Sequence, residues 1–288
     1  MLLRLAPLFF VLLWSTGFIG SKIVGEHGEP FTVLAIRFGL VLLLLAPMAA
    51  FSPRVSRLAA RDAAIAGALI HAVYIGGVMW ALRFGMPTGT VAMIVCLQPV
   101  LTAFLAGPLL GEKIGARHWT GLAIGLAGVG LVVAPKMGLV AAAGTSNVAA
   151  VVAALAGLVA ITCGTLWQKA RGHTGDLKTL AFWQYVGAVG VSLLLALGFE
   201  TMQVDWNLEF LLAMAWLVLV LSIGAIGLLL LLIRASAVSR VTSLFYLVPA
   251  VTALMAFAML GETLTLAQMS GIALVMVAVL LIGSLSRT

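Results

Sequence analysis

The sequence predicts an all-α integral membrane protein, with ten transmembrane helices arranged as two inverted five-helix repeats. Three observations lead there. The chain is 63% hydrophobic and 9% charged, with a mean hydropathy of +1.22, whereas ordinary globular domains are about 25% charged. Apolar runs of about 20 residues follow one another along its length, each long enough to cross a hydrocarbon layer of roughly 30 Å. Residues 86–133 also recur as residues 236–283. Without gaps, 13 of 48 positions are identical, including Pro99 with Pro249, Gly111-Glu112 with Gly261-Glu262, and Gly121 with Gly271. Chance in a composition rich in Leu, Ala, Val and Gly does not easily align a proline, a Gly-Glu turn and a glycine.

Gly, Pro and charged residues punctuate the apolar runs into ten spans, at about 5–24, 31–50, 62–82, 89–110, 117–134, 148–168, 179–198, 209–233, 240–260 and 266–285. Met1-Leu2-Leu3-Arg4 before an apolar run has the start of a secretory signal. No A-x-A-like cleavage site follows, and the segment reads as helix one. The domains follow as a first repeat at 1–134, a Gly- and Ala-rich connection at 135–147, and a second repeat at 148–288. All connections are short, so no extramembrane domain is expected to carry chemistry.

Lys and Arg set the orientation. With the amino terminus in the cytoplasm, twelve of the basic residues fall in inner segments: Arg4, Arg54, Arg57, Arg61, Lys113, Arg117, Lys169, Arg171, Lys178, Arg234, Arg240 and Arg287. Only Lys22, Arg83 and Lys136 fall in outer ones, with Arg37 inside a span. Both termini are therefore expected in the cytoplasm. The net charge of +7 reflects this bias, and no nucleic acid is implied. Five helices per half is an odd number, so the second half enters the membrane upside down. Such repeats let one fold open alternately to either side around a central site.

Several stretches carry a family resemblance: WSTGFIGSK (14–22), Arg37-Phe38, ALRFGMPTGT (81–90), LQPVLTAFLAGPLLGE (97–112) and its copy LVPAVTALMAFAMLGE (247–262). The chain resembles the drug/metabolite transporter superfamily, and within it the EamA-type exporters, over essentially its whole length. The resemblance implies a ten-helix inverted bundle that moves small metabolites outward. Length and aromatic content are most similar to bacterial exporters of amino acids, including aromatic ones, in the inner membrane.

The candidate substrate-binding residues are Trp14, His71, Tyr74, Gln98, Trp167 and Tyr246. His71 lies near the middle of span three, with Tyr74 on the same helical face, and Gln98 stands beside Pro99. Polar groups at such depth face the bundle interior. Trp14 and Tyr246 lie on helices that border the cavity in the resembled fold. Aromatic walls with few charges suit apolar or zwitterionic molecules. Helix-tying hydrogen bonds and core packing are the alternatives for these residues, and Trp119 and Trp206 read as interface belt.

Pro99 and Pro249 are the candidate hinges, read as prolines near the middle of spans four and nine. There, each removes a backbone hydrogen bond at a break tolerated against protein or a cavity. Arg37 reads as structural, pairing with Glu26 or Glu29 or snorkelling outward, with a substrate carboxylate as the alternative, which Lys22 shares. Gly121, Gly125 and Gly128 permit close helix contact, within the bundle or in a dimer.

All nine Asp and Glu fall in loops or at span ends, so no mid-membrane carboxylate offers an ion relay. Cys96 and Cys163 lie in apolar spans, implying neither a disulfide nor a metal site. The sequence has no phosphate-binding glycine loop, no H-E-x-x-H and no ATPase domain. No catalytic residue, metal or cofactor is expected. The implied partners are a small-molecule substrate (an amino acid or similar) and the lipid bilayer, with the chain a monomer or weak homodimer. The rivals are a nucleotide-sugar or phosphorylated-metabolite exchanger, which would call for paired basic residues in the cavity, an intramembrane enzyme, and a channel.

Overall fold

A computed structural model describes residues 2–86, 91, 94–141, 148–171, 176–260 and 264–283. Its elements are α1 (Leu2–His27), α2 (Pro30–Ala50), α3 (Arg57–Arg83), α4 (Gln98–Leu110), α5 (Ala116–Ala141), α6 (Val148–Ala170), α7 (Leu177–Phe199) and α8 (Leu208–Ala235). Then come α9, in the pieces Val238–Ser243, a 3-10 turn Leu244–Tyr246 and Leu247–Leu260, and α10 (Leu266–Gly283). Among the described residues, seven helices are long and apolar enough to cross a membrane. Shorter apolar helices lie at Leu5–Gly17, Gln98–Leu110 and Leu266–Ile282. Leu43, Leu194, Leu212 and Leu280 are among the many large apolar side chains left exposed, as a lipid-facing surface requires.

The helix contacts repeat when each helix is exchanged for the one five places on. α5 packs on α10 and α2 on α7, each pair mapping onto itself. The contacts of α3 with α6 and α7 match those of α8 with α1 and α2, and α4 with α6 matches α9 with α1. The likeness extends to a local defect. α3 winds as a π-helix over Ala68–Val73 and α8 over Leu217–Ala225, ranges that overlap when shifted by the 150 positions of the sequence repeat. π-turns widen the backbone and gather at functional sites.

Glycine permits the closest approaches. A Cβ on Gly67 would stand 1.9 Å from the backbone oxygen of Gln184, and one on Gly187 would stand 2.0 Å from that of Ala64, so only glycine lets α3 and α7 meet there. Gly128 meets Gly271 in the same way, and Gly121 and Gly125 face Ile282, Ala278 and Tyr246. Gly121, Gly125 and Gly128 of α5 thus pack inside the bundle.

Two polar faces terminate the helices. On one, Arg54, Lys169, Arg171 and Arg234 gather around a cavity; this is the basic face. There the turn after α4, with Gly111 left-handed at φ 69°, brings the Glu112 carboxylate to the start of α9. It accepts from Val238 N–H at 2.7 Å, Ser239 N–H at 3.3 Å and Ser239 Oγ–H at 2.6 Å. An anion at a helix N-terminus satisfies orphan N–H groups and opposes the macrodipole, which gives the Gly-Glu motif its physical role. Its copy, Gly261-Glu262, lies outside the described residues.

The structure corrects the expectation for Pro99 and keeps Pro249 inside the continuous helical run of α9. Pro99 is not in a helix interior: α4 begins at Gln98, so Pro99 stands in its first turn, after a turn in which Leu97 N–H reaches Ile94 O at 3.1 Å. Pro249 is the third residue of Leu247–Leu260, directly after the 3-10 turn. A proline in the first turn gives up an N–H that has no intrahelical partner anyway. At Pro99 the chain resolves the missing donor by restarting the helix, and before Pro249 it tightens into a 3-10 turn.

Candidate functional site

The end of the bundle opposite the basic face is tied together by carboxylates. Glu200, at the end of α7, accepts from Phe31 N–H at 2.9 Å, Thr32 N–H at 2.7 Å, Thr32 Oγ1–H at 2.8 Å and Trp80 Nε1–H at 3.2 Å. It thereby caps α2, whose own N-cap residue Glu29 makes no cap bond. Glu29 instead accepts from the backbone N–H groups of Thr201 at 2.6 Å and Met202 at 3.0 Å and pairs with Arg83 at 3.2 Å. Burial raises its carboxyl, but the Thr201 and Met202 hydrogen bonds and Arg83 outweigh this and hold it below the ordinary value of 4.5. Beside them, His27 meets Asp205 at 3.2 Å and Glu209 at 3.7 Å.

The basic face is open. A vestibule of about 800 Å³ enters between the start of α3, the end of α6, the start of α7 and the end of α8, lined by Arg54, Asp62, Lys169, Arg171, Asp176 and Arg234 at the mouth and Gln184 among its deeper residues. Asp62 is a surprise: read as a span-end carboxylate, it is buried, with Arg61 at 3.1 Å. Asp176 caps α7 by accepting from Thr179 N–H at 3.3 Å. Burial raises its carboxyl, but hydrogen bonds from Ser52 and Thr179 bring it below the ordinary carboxylate value.

Deeper lies a central pocket of about 110 Å³, walled by Trp14, Phe38, His71 and Tyr74 with Arg37, Ser21, Ser222 and aliphatic side chains. His71 and Ser222 both belong to the π-segments. The imidazole stacks on the Tyr185 ring at 5.0 Å and 5° and lies 5.8 Å from Phe38. Tyr185 O–H donates to the Ser222 carbonyl at 2.5 Å and Arg37 Nε–H to Ser222 Oγ at 3.0 Å. Trp14 packs against Phe10 and Phe245, at 5.2 Å from each. No Asp or Glu lines this pocket among the described residues.

The structure brings Trp14, His71 and Tyr74 to one cavity and sets the other three candidates elsewhere. Trp167 stands at the basic mouth, donating to the Asp62 carbonyl at 3.2 Å beneath the Arg171 guanidinium. Tyr246 packs in the α5–α9–α10 core, and Gln98 is fully buried; the Tyr246 hydroxyl and both ends of the Gln98 amide are buried without a partner among the described residues. Phe38, Tyr185, Gln184 and Ser222 were not foreseen, although the alignment of Arg37-Phe38 with Gln184-Tyr185 at a shift of 147 marks the two pairs as equivalents. Arg37 neither pairs with Glu29 nor snorkels: it is 3% exposed and held by Ser222, while Glu29 is committed to Thr201 and Arg83. The side chain of Lys22 lies outside the described residues.

Comparison with known proteins agrees with this architecture. The chain is 28% identical to an uncharacterized inner membrane transporter, YedA, of Escherichia coli (strain K12), over 97% of this chain and 91% of the relative. It is 26% identical to the uncharacterized transporter YvbV of Bacillus subtilis (strain 168), over 97% and 90%. It is 24% identical to a probable amino-acid metabolite efflux pump of Salmonella typhimurium (strain LT2), over 93% and 90%. A solved crystal structure superposes with a TM-score of 0.78 at 20% identity, covering 99% of both chains, which shows the fold. The EamA-like transporter family profile matches twice, at residues 4–134 and 148–284. The chain is a membrane transporter of the EamA-like transporter family.

Proposed function

We propose that this transporter is a secondary exporter of small amphipathic metabolites, amino acids foremost, across the bacterial cytoplasmic membrane by alternating access. In this reading residues 1–134 and 148–288 are inverted repeats joined by 135–147, and both termini are cytoplasmic. The basic face is then the cytoplasmic one, and the structure stands in an inward-open state. The observation that carries the reading is the pairing of an open basic vestibule with a stitched opposite face, around a central pocket reached by equivalent π-segments of both halves. The vestibule's walls and the stitched region are the same helix ends exchanged between repeats, as alternating access requires. The amino-acid assignment is supported by the zwitterion-sized, aromatic-walled pocket and by the printed name of the Salmonella relative.

A phosphorylated-metabolite exchanger is the second reading, favoured by Arg54, Lys169, Arg171 and Arg234 around the vestibule. Lys169 is already engaged, donating to the carbonyls of Ile233 at 2.9 Å and Ser236 at 2.7 Å, and among the described residues the central pocket holds one Lys or Arg side chain, Arg37, beside the buried His71. Counterflow in proteoliposomes loaded with amino acids, quaternary amines or sugar phosphates separates these. Amino-acid uptake down its gradient, without an imposed ion gradient, is the expected result. Uptake confined to sugar phosphates would replace the first reading with the second.

A further inference from the structure

Arg37 carries a charge that the fold leaves unanswered. It sits on α2 in the wall of the central pocket, 3% exposed. Its Nε–H donates to Ser222 Oγ at 3.0 Å, and its guanidinium lies 5.6 Å from the Phe38 ring centroid. Among the described residues it makes no other hydrogen bond and meets no carboxylate. A guanidinium offers five N–H donors in a planar fork matched to a carboxylate, so most of this capacity is unspent. The terminal nitrogens are not among the sealed, partnerless atoms that include both ends of the Gln98 amide; they retain surface toward the pocket. A buried cation without a counter-ion is costly in a membrane interior and marks a site that takes its partner from outside the chain.

We propose that Arg37 is the substrate anchor of the central pocket and that it selects a carboxylate carried on a compact apolar or aromatic body. Ser222 fixes one edge of the guanidinium and leaves the other edge to the ligand. Trp14, Phe38 and Tyr74 then receive the apolar body, and among the described residues no acidic side chain competes for the cation. This deepens the export reading and rests on its choice of the central pocket as the substrate site. It also explains why Ser222 stands in a π-segment: the widened turn presents its carbonyl to Tyr185 and its hydroxyl to Arg37 at once.

The test measures binding and transport separately. Tryptophan fluorescence of the purified full chain is titrated with L-phenylalanine, 3-phenylpropionate, L-phenylalaninamide, phenethylamine and inorganic phosphate. The same organic probes are then assayed by counterflow. The two carboxylates are expected to bind, and the amide, the amine and phosphate to bind far more weakly. Arg37→Gln should weaken carboxylate binding about 30-fold or more, with Arg37→Lys intermediate and Ser222→Ala weaker than wild type but better than Arg37→Gln. An unchanged elution profile for Ser222→Ala and Arg37→Lys keeps the series interpretable if Arg37→Gln fails to fold. Equal binding of acid and amide, undiminished carboxylate binding in Arg37→Lys and Ser222→Ala, or no carboxylate binding at all, overturns the anchor. Phosphate binding as tightly as the acids overturns the carboxylate class. Carboxylate-selective binding without counterflow leaves the anchor standing and removes the export reading; counterflow indifferent to the carboxylate does the reverse.

Discussion

The imidazole Nε2 of His71 lies 3.4 Å from Gln184 Oε1, and this contact joins the walls of the two cavities. Gln184 lines the vestibule and His71 the central pocket. The glycine contacts of α3 with α7 bring the two residues within reach, and the Tyr185 ring supports the imidazole from the other side. A long, single hydrogen bond is a weak barrier, which suits a partition that opens in each cycle of the proposed transport. Gln184→Ala should therefore raise the labelling of Ser21→Cys by a membrane-impermeant thiol reagent applied to the basic face, in a Cys96→Ala, Cys163→Ala background. Unaltered labelling would show that the partition lies elsewhere.

The α3–α7 contact also predicts a stability effect. A side chain on Gly67 meets the backbone of Gln184 rather than a movable side chain, with its Cβ 1.9 Å from the carbonyl oxygen. Gly67→Val must push the helices apart, at a cost of about 3 kcal/mol or more. Gly190, on the same helix as Gly187, has open space around it, so Gly190→Ala should be near neutral. Thermal unfolding in detergent compares the two, and equal midpoints would contradict the packing described.

The carboxylate ties at the end opposite the basic face predict a pH dependence of known sign. Glu29 titrates below its ordinary 4.5 because the folded protein stabilises its carboxylate. A group whose folded pKa is depressed contributes stability above the unfolded value and loses it as pH falls through the folded one. Wild-type thermal stability should therefore decline below about pH 4.5 more steeply than that of Glu29→Gln, which lacks the titrating group. At neutral pH Glu29→Gln should unfold at the lower temperature. Parallel profiles for the two proteins would remove Glu29 from these ties.

The spans were legible because apolar runs and punctuation are local properties, and the duplication because Pro99, Gly111 and Glu112 recur in register. Other features depend on what the chain brings together. No residue type announces a π-turn, so neither segment could be foreseen. Arg37 was read against Glu26 and Glu29, its neighbours in sequence, and only the fold shows that Glu29 answers Thr201 and Arg83 while Ser222 holds the arginine. Depth along a span also says little about rotation, which is why Trp14, His71 and Tyr74 share a cavity but Trp167 and Tyr246 do not. Hydropathy passes unbroken through the restart at Pro99, so a proline of a first turn reads as a proline of a helix interior, whereas at Pro249 the helical run continues through a 3-10 turn.

The two prolines carry the last prediction. Residue 99 as alanine regains an N–H that can reach the Val95 carbonyl and fuse α4 to the turn before it; residue 249 as alanine can reach the Phe245 carbonyl across the 3-10 turn. In the fused helix residue 99 is interior, where a proline costs about 3 kcal/mol, so the alanine can favour the fused form by a sizeable part of that, and about 1.4 kcal/mol already changes populations tenfold. If the two repeats are inverted, as proposed, α4 and α9 are their equivalent helices, and the two substitutions should bias the protein in opposite directions. Reporter cysteines at Ala63, in the vestibule wall, and at Val24, buried near the stitched end of α1, read the two sides. In a Cys96→Ala, Cys163→Ala background, Pro99→Ala and Pro249→Ala should shift the ratio of Ala63→Cys to Val24→Cys labelling oppositely, and both should slow counterflow. Binding should fall less than turnover, because a shifted equilibrium keeps an intact site in one state. Wild-type transport with unchanged labelling in both variants would make the two breaks static features of the fold, leaving alternating access to rest on the repeat and the unequal closure of the two faces.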